Sequence, residues 1–181
     1  MLRDAGVRAD ILPSHVDEGA IKQSMQKANQ PVEDIAMALA IAKARVISEG
    51  IPGAMVIGAD QILVCDGQLF DKPNNMQAAA GHLAVLSGKE HQLVTAACVL
   101  CDGVVQWQHL SAPRLTMRPV DDGYIASYLA DVGEIALTSV GAYQLEGLGA
   151  QLFDRVDGDF FAILGLPLLP LLAFLRSEGL A

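Results

Sequence analysis

"GADQILVCDGQLFDKP", residues 58–73, sets an acid inside apolar sequence and then turns straight back on itself. Val56 and Ile57 lead into it with β-branched side chains that pack well in a strand, and Asp66-Gly67 is a dipeptide that accepts the positive φ angles of a tight hairpin. The stretch therefore reads as an apolar strand ending on Asp60, a hairpin turn, and a return that closes at Lys72-Pro73. These residues alone leave two meanings open: an acid and a lysine presented for chemistry, or ordinary solvated surface.

On the N-terminal side, Ile35, Leu39, Ala42 and Val46 recur at helical spacing between Pro31 and Glu49, with Pro31 suited to the first position, Gly50 to the stop, and Lys43 at the edge of the apolar stripe. On the C-terminal side, Met76–Leu86 reads as a second helix, and "HQLVTAACVLCDGVVQWQHL" as two strands about a turn at Asp102-Gly103. "VDDGYIASYLADVG" is a further amphipathic helix, followed by glycine-rich loops with short strands. "FFAILGLPLLPLLAFL" is shorter than the roughly 20 residues that span a bilayer and is interrupted by Gly165, Pro167 and Pro170, so it reads as a buried strand, a turn and a core helix from Pro167. Helices and hairpins alternating in this way predict an α/β fold whose sheet is mixed rather than purely parallel.

With 181 residues, 52% of them hydrophobic, the chain can build one sizeable core or two small lobes around a cleft, and it shows no repeat or linker. A net charge of −9 with no basic run offers no footprint for a nucleic-acid backbone, although local lysines and backbone N–H groups still suit a small anion. Three cysteines, Cys65, Cys98 and Cys101, fit a reducing compartment better than a disulfide framework. Cys98 and Cys101 form a lone C-x-x-C, but on a strand, residues three apart point to opposite faces, so both read as core positions. The N-terminal "MLRDAGVRAD" has no apolar run of the signal-peptide kind.

The polar residues that stand out are Asp17 and Glu18 in "HVDE", Lys43 in "LAIAKA", Asp60, Lys72, and Glu146 in "YQLEGLG". Carboxylates that hold Mg²⁺ or take a proton from water, together with lysines that neutralise phosphate oxygens, are what a metal-assisted attack on a phosphate requires. The nucleophile elbow, the H-E-x-x-H zinc helix, the P-loop and the G-x-G-x-x-G turn are all absent. His15, His82, His91 and His109 show no paired ligand spacing, and His91, in "SGKEHQLVT", reads as a structural residue holding the turn after a helix.

Taken in order, "VDE", "LAIAKA", "VIGADQILVCDGQLFDKP", "LSGKEHQLVTA" and "GAYQLEGLGAQLFDRVDGDFFAILGLPLLPLL" resemble the Maf family of septum-formation proteins across nearly the whole chain. The resemblance implies a single domain over residues 1–181 with the Maf/HAM1, ITPase-like α/β fold: a mixed twisted sheet, flanking helices, and two lobes around a central cleft. It implies a nucleoside triphosphate pyrophosphatase that cuts between the α- and β-phosphates with Mg²⁺ or Mn²⁺. Asp60 matches the acid of the family's "GAD" block, the proton acceptor for the attacking water and a metal ligand. Glu18 matches the metal-binding acid, while Lys43 and Lys72 match positions that serve phosphate.

Gln61 and Glu146 stand where the commonest family pattern has Thr and Gln, both resemble the branch that prefers 7-methyl-GTP, and the resemblance implies that both bind substrate. A carboxylate at Glu146 suits the N1–H and amine of a guanine, or a cationic methylated base. The other reading within the family is a broader action on pyrimidine or modified nucleotides. Family members open with a strand and a phosphate-binding "SxSPRR"-like loop, whereas "MLRDAGV" resembles the helix that follows it, so the resemblance implies weak stability and turnover for a chain starting there. A non-catalytic nucleotide-binding regulator of cell division is the alternative. A cytoplasmic homodimer that clears non-standard nucleotides, with no membrane or nucleic-acid partner, completes the expectation.

Overall fold

The computed structural model describes residues 1–181. The Asp66-Gly67 turn takes the positive φ angles expected of it, 50° and 77°, and joins strand β1 (Val56–Cys65) to the antiparallel β2 (Gln68–Phe70). Asp102-Gly103 does the same, at 50° and 75°, between β3 (Glu90–Cys101) and β4 (Val104–Ser111). Two further strands, β5 (Arg114–Met117) and β6 (Phe153–Asp157), pair antiparallel with each other, and β5 also pairs antiparallel with β3. The sheet is therefore not purely parallel, as the hairpins predicted.

Six helices accompany the strands: α1 (Glu18–Lys27), α2 (Val32–Ser48), α3 (Met76–Leu86), α4 (Asp122–Val132), α5 (Phe160–Ile163) and α6 (Leu168–Ser177). Each start has a local cause. Asp17, Asn75, Asp121 and Asp159 cap α1, α3, α4 and α5 by accepting from backbone N–H groups of the first turn, and prolines 31 and 167 stand at the caps of α2 and α6. No helix is long and apolar enough to cross a membrane.

The chain divides into two compact units. The first, Met1–Asp60, Thr95–Ser111 and Gly165–Ala181, contains α1, α2, β4 and α6 with the adjoining parts of β1 and β3. In it, residues Leu2–Val7 close as the last turn of a helix does: Val7 N–H bonds to the Leu2 carbonyl and Gly6 N–H to the Arg3 carbonyl, with Gly6 at φ 84°. The second unit, Gln61–Val94 and Ala112–Leu164, orders its strands β2-β1-β3-β5-β6 and covers them with α3 and α4. Its core gathers Leu63, Phe70, Leu83, Leu86, Leu115 and Leu152, all nearly inaccessible.

Two local expectations change. Asp60 lies within β1 rather than at its end, because a polar side chain is tolerated inside a strand when a partner meets it there. "FFAIL", expected as strand, is instead the short helix α5: the Asp159 carboxylate accepts from Phe161 N–H and opens a helical turn, and the strand falls earlier, at β6.

Candidate active site

The site begins with an absence of side chain at Gly58. A Cβ there would run into the Ala40 carbonyl oxygen and lie 2.8 Å from the Ala44 Cβ, so β1 and α2 approach as closely as backbone and methyl groups allow. The inward face of α2 is accordingly Ile35, Ala36, Leu39, Ala40 and Ala44, while Val46, expected in the stripe, is exposed. Lys43 sits beside that face, one turn beyond Leu39. Asp60 follows Gly58 by two residues and shares its side of the strand. The close packing thus delivers the lysine to the acid: Lys43 Nζ donates to Asp60 Oδ1 at 2.6 Å.

Glu18 joins them from the first turn of α1, its Oε1 3.1 Å from the same ammonium. Of the two acids in "HVDE", Glu18 makes this pair, while Asp17 accepts from Ala20 N–H at the helix cap. Helix α1 buries no residue of its own, so capping and the Glu18–Lys43 pair do much to place it on α2. Lys22, one turn on from Glu18, is a residue that the motif blocks did not single out; its charge also acts on Asp60, and the four-residue spacing from Glu18 is the signal that would have found it.

Exposure separates the two acids, at 9% for the Asp60 side chain and 50% for that of Glu18. Burial pushes the Asp60 carboxyl above its ordinary pKa of 3.8; the hydrogen bond and charge of Lys43 pull it back only in part, and the negative Glu18 adds to the rise. Burial works against the Lys43 ammonium too, but hydrogen bonds and charges from Asp60 and Glu18 together outweigh it, so Lys43 is held above its ordinary value and stays charged. The pair does not lower its acid in the usual way because desolvation wins at the more buried partner. The product is an anchored carboxylate with raised proton affinity beside a permanent cation, which suits proton acceptance next to a phosphate.

The other sequence candidates belong to the second unit and are not gathered in this way. Gln61, next to Asp60 on β1, donates its side-chain amide to the carbonyls of Ala162 (2.8 Å) and Ile163 (3.1 Å) at the end of α5. Lys72 follows β2 and is exposed, as is Glu146 in the loop before the short 3₁₀ helix Leu148–Leu152. His91 is buried and bonds through Nε2 to the Tyr143 hydroxyl at 2.7 Å, a long-range partner that its sequence neighbourhood does not reveal. Cys98 is buried, its thiol pushed up to about 11 by desolvation, and all three cysteines are free, in line with a packing role for Cys98.

No group of three or more His, Cys, Asp or Glu side chains gathers as a metal centre. Glu18 and Asp60 nevertheless both direct a carboxylate oxygen at one cation, the Lys43 ammonium, and two hard oxygen donors completed by substrate phosphates and water are a usual set for Mg²⁺. The donor set therefore fits a divalent ion.

Comparison with known proteins bears on the same blocks. The family model described as "Maf-like protein" matches residues 1–178. A protein of Mesorhizobium japonicum named "7-methyl-GTP pyrophosphatase" is 49% identical over 179 residues, 99% of this chain and 90% of that protein. One of the same name from Brucella abortus is 48% identical, covering 98% and 89%. A "Nucleoside triphosphate pyrophosphatase" of Hyphomonas neptunium is 49% identical, covering 97% and 88%.

Proposed function

We propose, because this chain belongs to the family of Maf-like proteins, that it is a nucleoside triphosphate pyrophosphatase. Water attacks the α-phosphorus, the bond from that phosphorus to the oxygen it shares with the β-phosphate breaks, and a nucleoside monophosphate and pyrophosphate leave. The observation that carries this reading is the bridge of Lys43 to Asp60 and Glu18, which unites three separate sequence blocks in one polar cluster.

In this reading, Asp60 accepts the proton that the attacking water gives up, and burial supplies the raised proton affinity that a base needs. Lys43 holds that carboxylate in one orientation and offsets negative charge on the phosphate oxygens. Glu18 and Asp60 are the residues that would hold Mg²⁺ or Mn²⁺, which when bound supplies further neutralisation of phosphate charge. Lys72 is assigned to phosphate and Glu146 to the base, both from the family blocks. Gln61 acts on preference indirectly, by fixing β1 against α5 through its two carbonyl contacts.

For the base we infer a guanine-type preference, with 7-methyl-GTP the first candidate. A carboxylate at Glu146 matches the two donors of guanine and the charge of a methylated ring, and two of the relatives above carry that activity in their names. The division into two compact units supports the Maf/HAM1 assignment, and free cysteines support a cytoplasmic setting; a homodimer is the assembly we expect.

The test is pyrophosphate release with Mg²⁺ from the common nucleoside triphosphates and 7-methyl-GTP. Release should favour 7-methyl-GTP, and Asp60→Asn should lower it roughly 100- to 10,000-fold. Folded wild-type protein that binds nucleotide without releasing pyrophosphate would instead be a non-catalytic binder.

A further inference from the structure

Four non-glycine residues have positive φ, and three of them, Asn29, Asp66 and Asp102, are side-chain types that tolerate it, at a helix end or in hairpin turns. The fourth is Ala142, at φ 58° and fully buried. It has no side-chain hydrogen bond to stabilise that conformation, so the surrounding structure imposes it. On one side stands Gly141, where a Cβ would run into the Tyr143 ring and approach Leu63 Cδ1 to 3.0 Å. On the other is Tyr143 itself, which the left-handed residue turns down into the core.

Tyr143 is thoroughly anchored there. Its ring stands edge-on to Phe153 at 4.7 Å between centroids, its hydroxyl meets His91 Nε2 at 2.7 Å, and its carbonyl accepts from Ser139 Oγ at 2.7 Å. The chain that follows folds onto its own backbone: Gly147 N–H bonds to the Gln144 carbonyl, and Gly149 packs so tightly on Gln144 that any Cβ would collide with it. Glu146 is carried out into solvent on this short, closed loop, three residues after the anchor. His91, for its part, keeps Nδ1 buried without a hydrogen-bond partner. A core position chosen for packing alone would be better filled by an apolar ring.

We propose that the buried His91–Tyr143 pair is a positioning device: it fixes the loop through Ala142 and Tyr143 so that Glu146 meets the nucleotide base in one orientation, and it thereby sets base selectivity. The proposal rests on the assignment of Glu146 to the base. Neither His91 nor Tyr143 touches substrate; both act through the loop.

The test uses binding in an Asp60→Asn background, so that it does not depend on turnover, with 7-methyl-GTP, UTP and inorganic tripolyphosphate as probes in the presence of Mg²⁺. Tyr143→Phe keeps the ring against Phe153 and removes only the hydroxyl; it should narrow the preference for 7-methyl-GTP over UTP by about fivefold or more while leaving tripolyphosphate affinity unchanged. His91→Leu, which removes the partner instead, should give the same narrowing. In a Glu146→Ala background, Tyr143→Phe should have no further effect on preference, because the pair acts through Glu146. An unchanged preference in Tyr143→Phe, or a parallel loss of tripolyphosphate affinity, would overturn the inference. A parent protein with no preference between the two nucleotides overturns the reading of Glu146, and this inference with it.

Discussion

At the scale of single residues, the same burial does opposite things to two groups. At Asp60 it raises proton affinity beside a cation that the fold supplies. At His91, with no carboxylate to offset desolvation, it pushes the imidazole down to about 4 from an ordinary 6.5. The folded protein therefore keeps His91 neutral where the unfolded chain would protonate it. Stability from this source is fully present above the unfolded value and is lost as pH falls from about 6.5 through about 4, because the unfolded state binds the extra proton. Across that window the loss should approach about 3 kcal/mol. Urea denaturation at pH 7 and pH 4.5, with His91→Gln for comparison, checks it: the variant has no group to titrate there and should lose distinctly less stability on acidification. Equal losses in the two proteins would remove His91 as the cause.

At the scale of elements, the contact of α2 with β1 decides whether the site exists. Two glycines give opposite predictions from one substitution. Gly58→Ala forces a methyl into the Ala40 carbonyl and should destabilise by about 1–3 kcal/mol, with activity falling further as α2 and Lys43 move off Asp60. Gly81→Ala, on α3 with open space around it and no positive φ, should stabilise by about 0.5–1 kcal/mol. Denaturation midpoints of the two variants give the signs directly. The same contact explains what could be read ahead of the structure. Local chemistry was legible: α3 spans the predicted Met76–Leu86, and both Asp-Gly turns fall where their dipeptides put them. The inward face of α2 was legible only in part: Ile35 and Leu39 are buried as their spacing predicted, whereas Val46 is exposed. Periodicity selects large side chains such as Val46, whereas the face is chosen by alanines that let a strand come close. Likewise, Glu18, Lys43 and Asp60 could be named separately from their blocks, but their convergence on one ammonium is a tertiary fact. The His91–Tyr143 bond, 52 residues apart in sequence, left no local trace at all.

At the scale of the whole molecule, chain connectivity makes a claim about cooperativity. Neither unit is a continuous segment: the first is assembled from three stretches and the second from two, and both β1 and β3 run from one unit into the other. A strand that loses its place in one unit loses the fixed end that orders its remainder, so neither unit can be cut out as an independent piece of chain, and the two should unfold together. The chromophores are distributed so as to test this. The sole tryptophan, Trp107, lies in the first unit, stacked on Phe174 at 5.8 Å between centroids, while Tyr124, Tyr128 and Tyr143 all lie in the second. Tryptophan fluorescence excited at the red edge and tyrosine signal in the near ultraviolet thus report separate units of an unlabelled protein. Their thermal transitions should coincide, and calorimetric and van't Hoff enthalpies should agree. Two separated transitions would mean that the shared strands couple the units only weakly, so that each unit's stability is set by its own contacts.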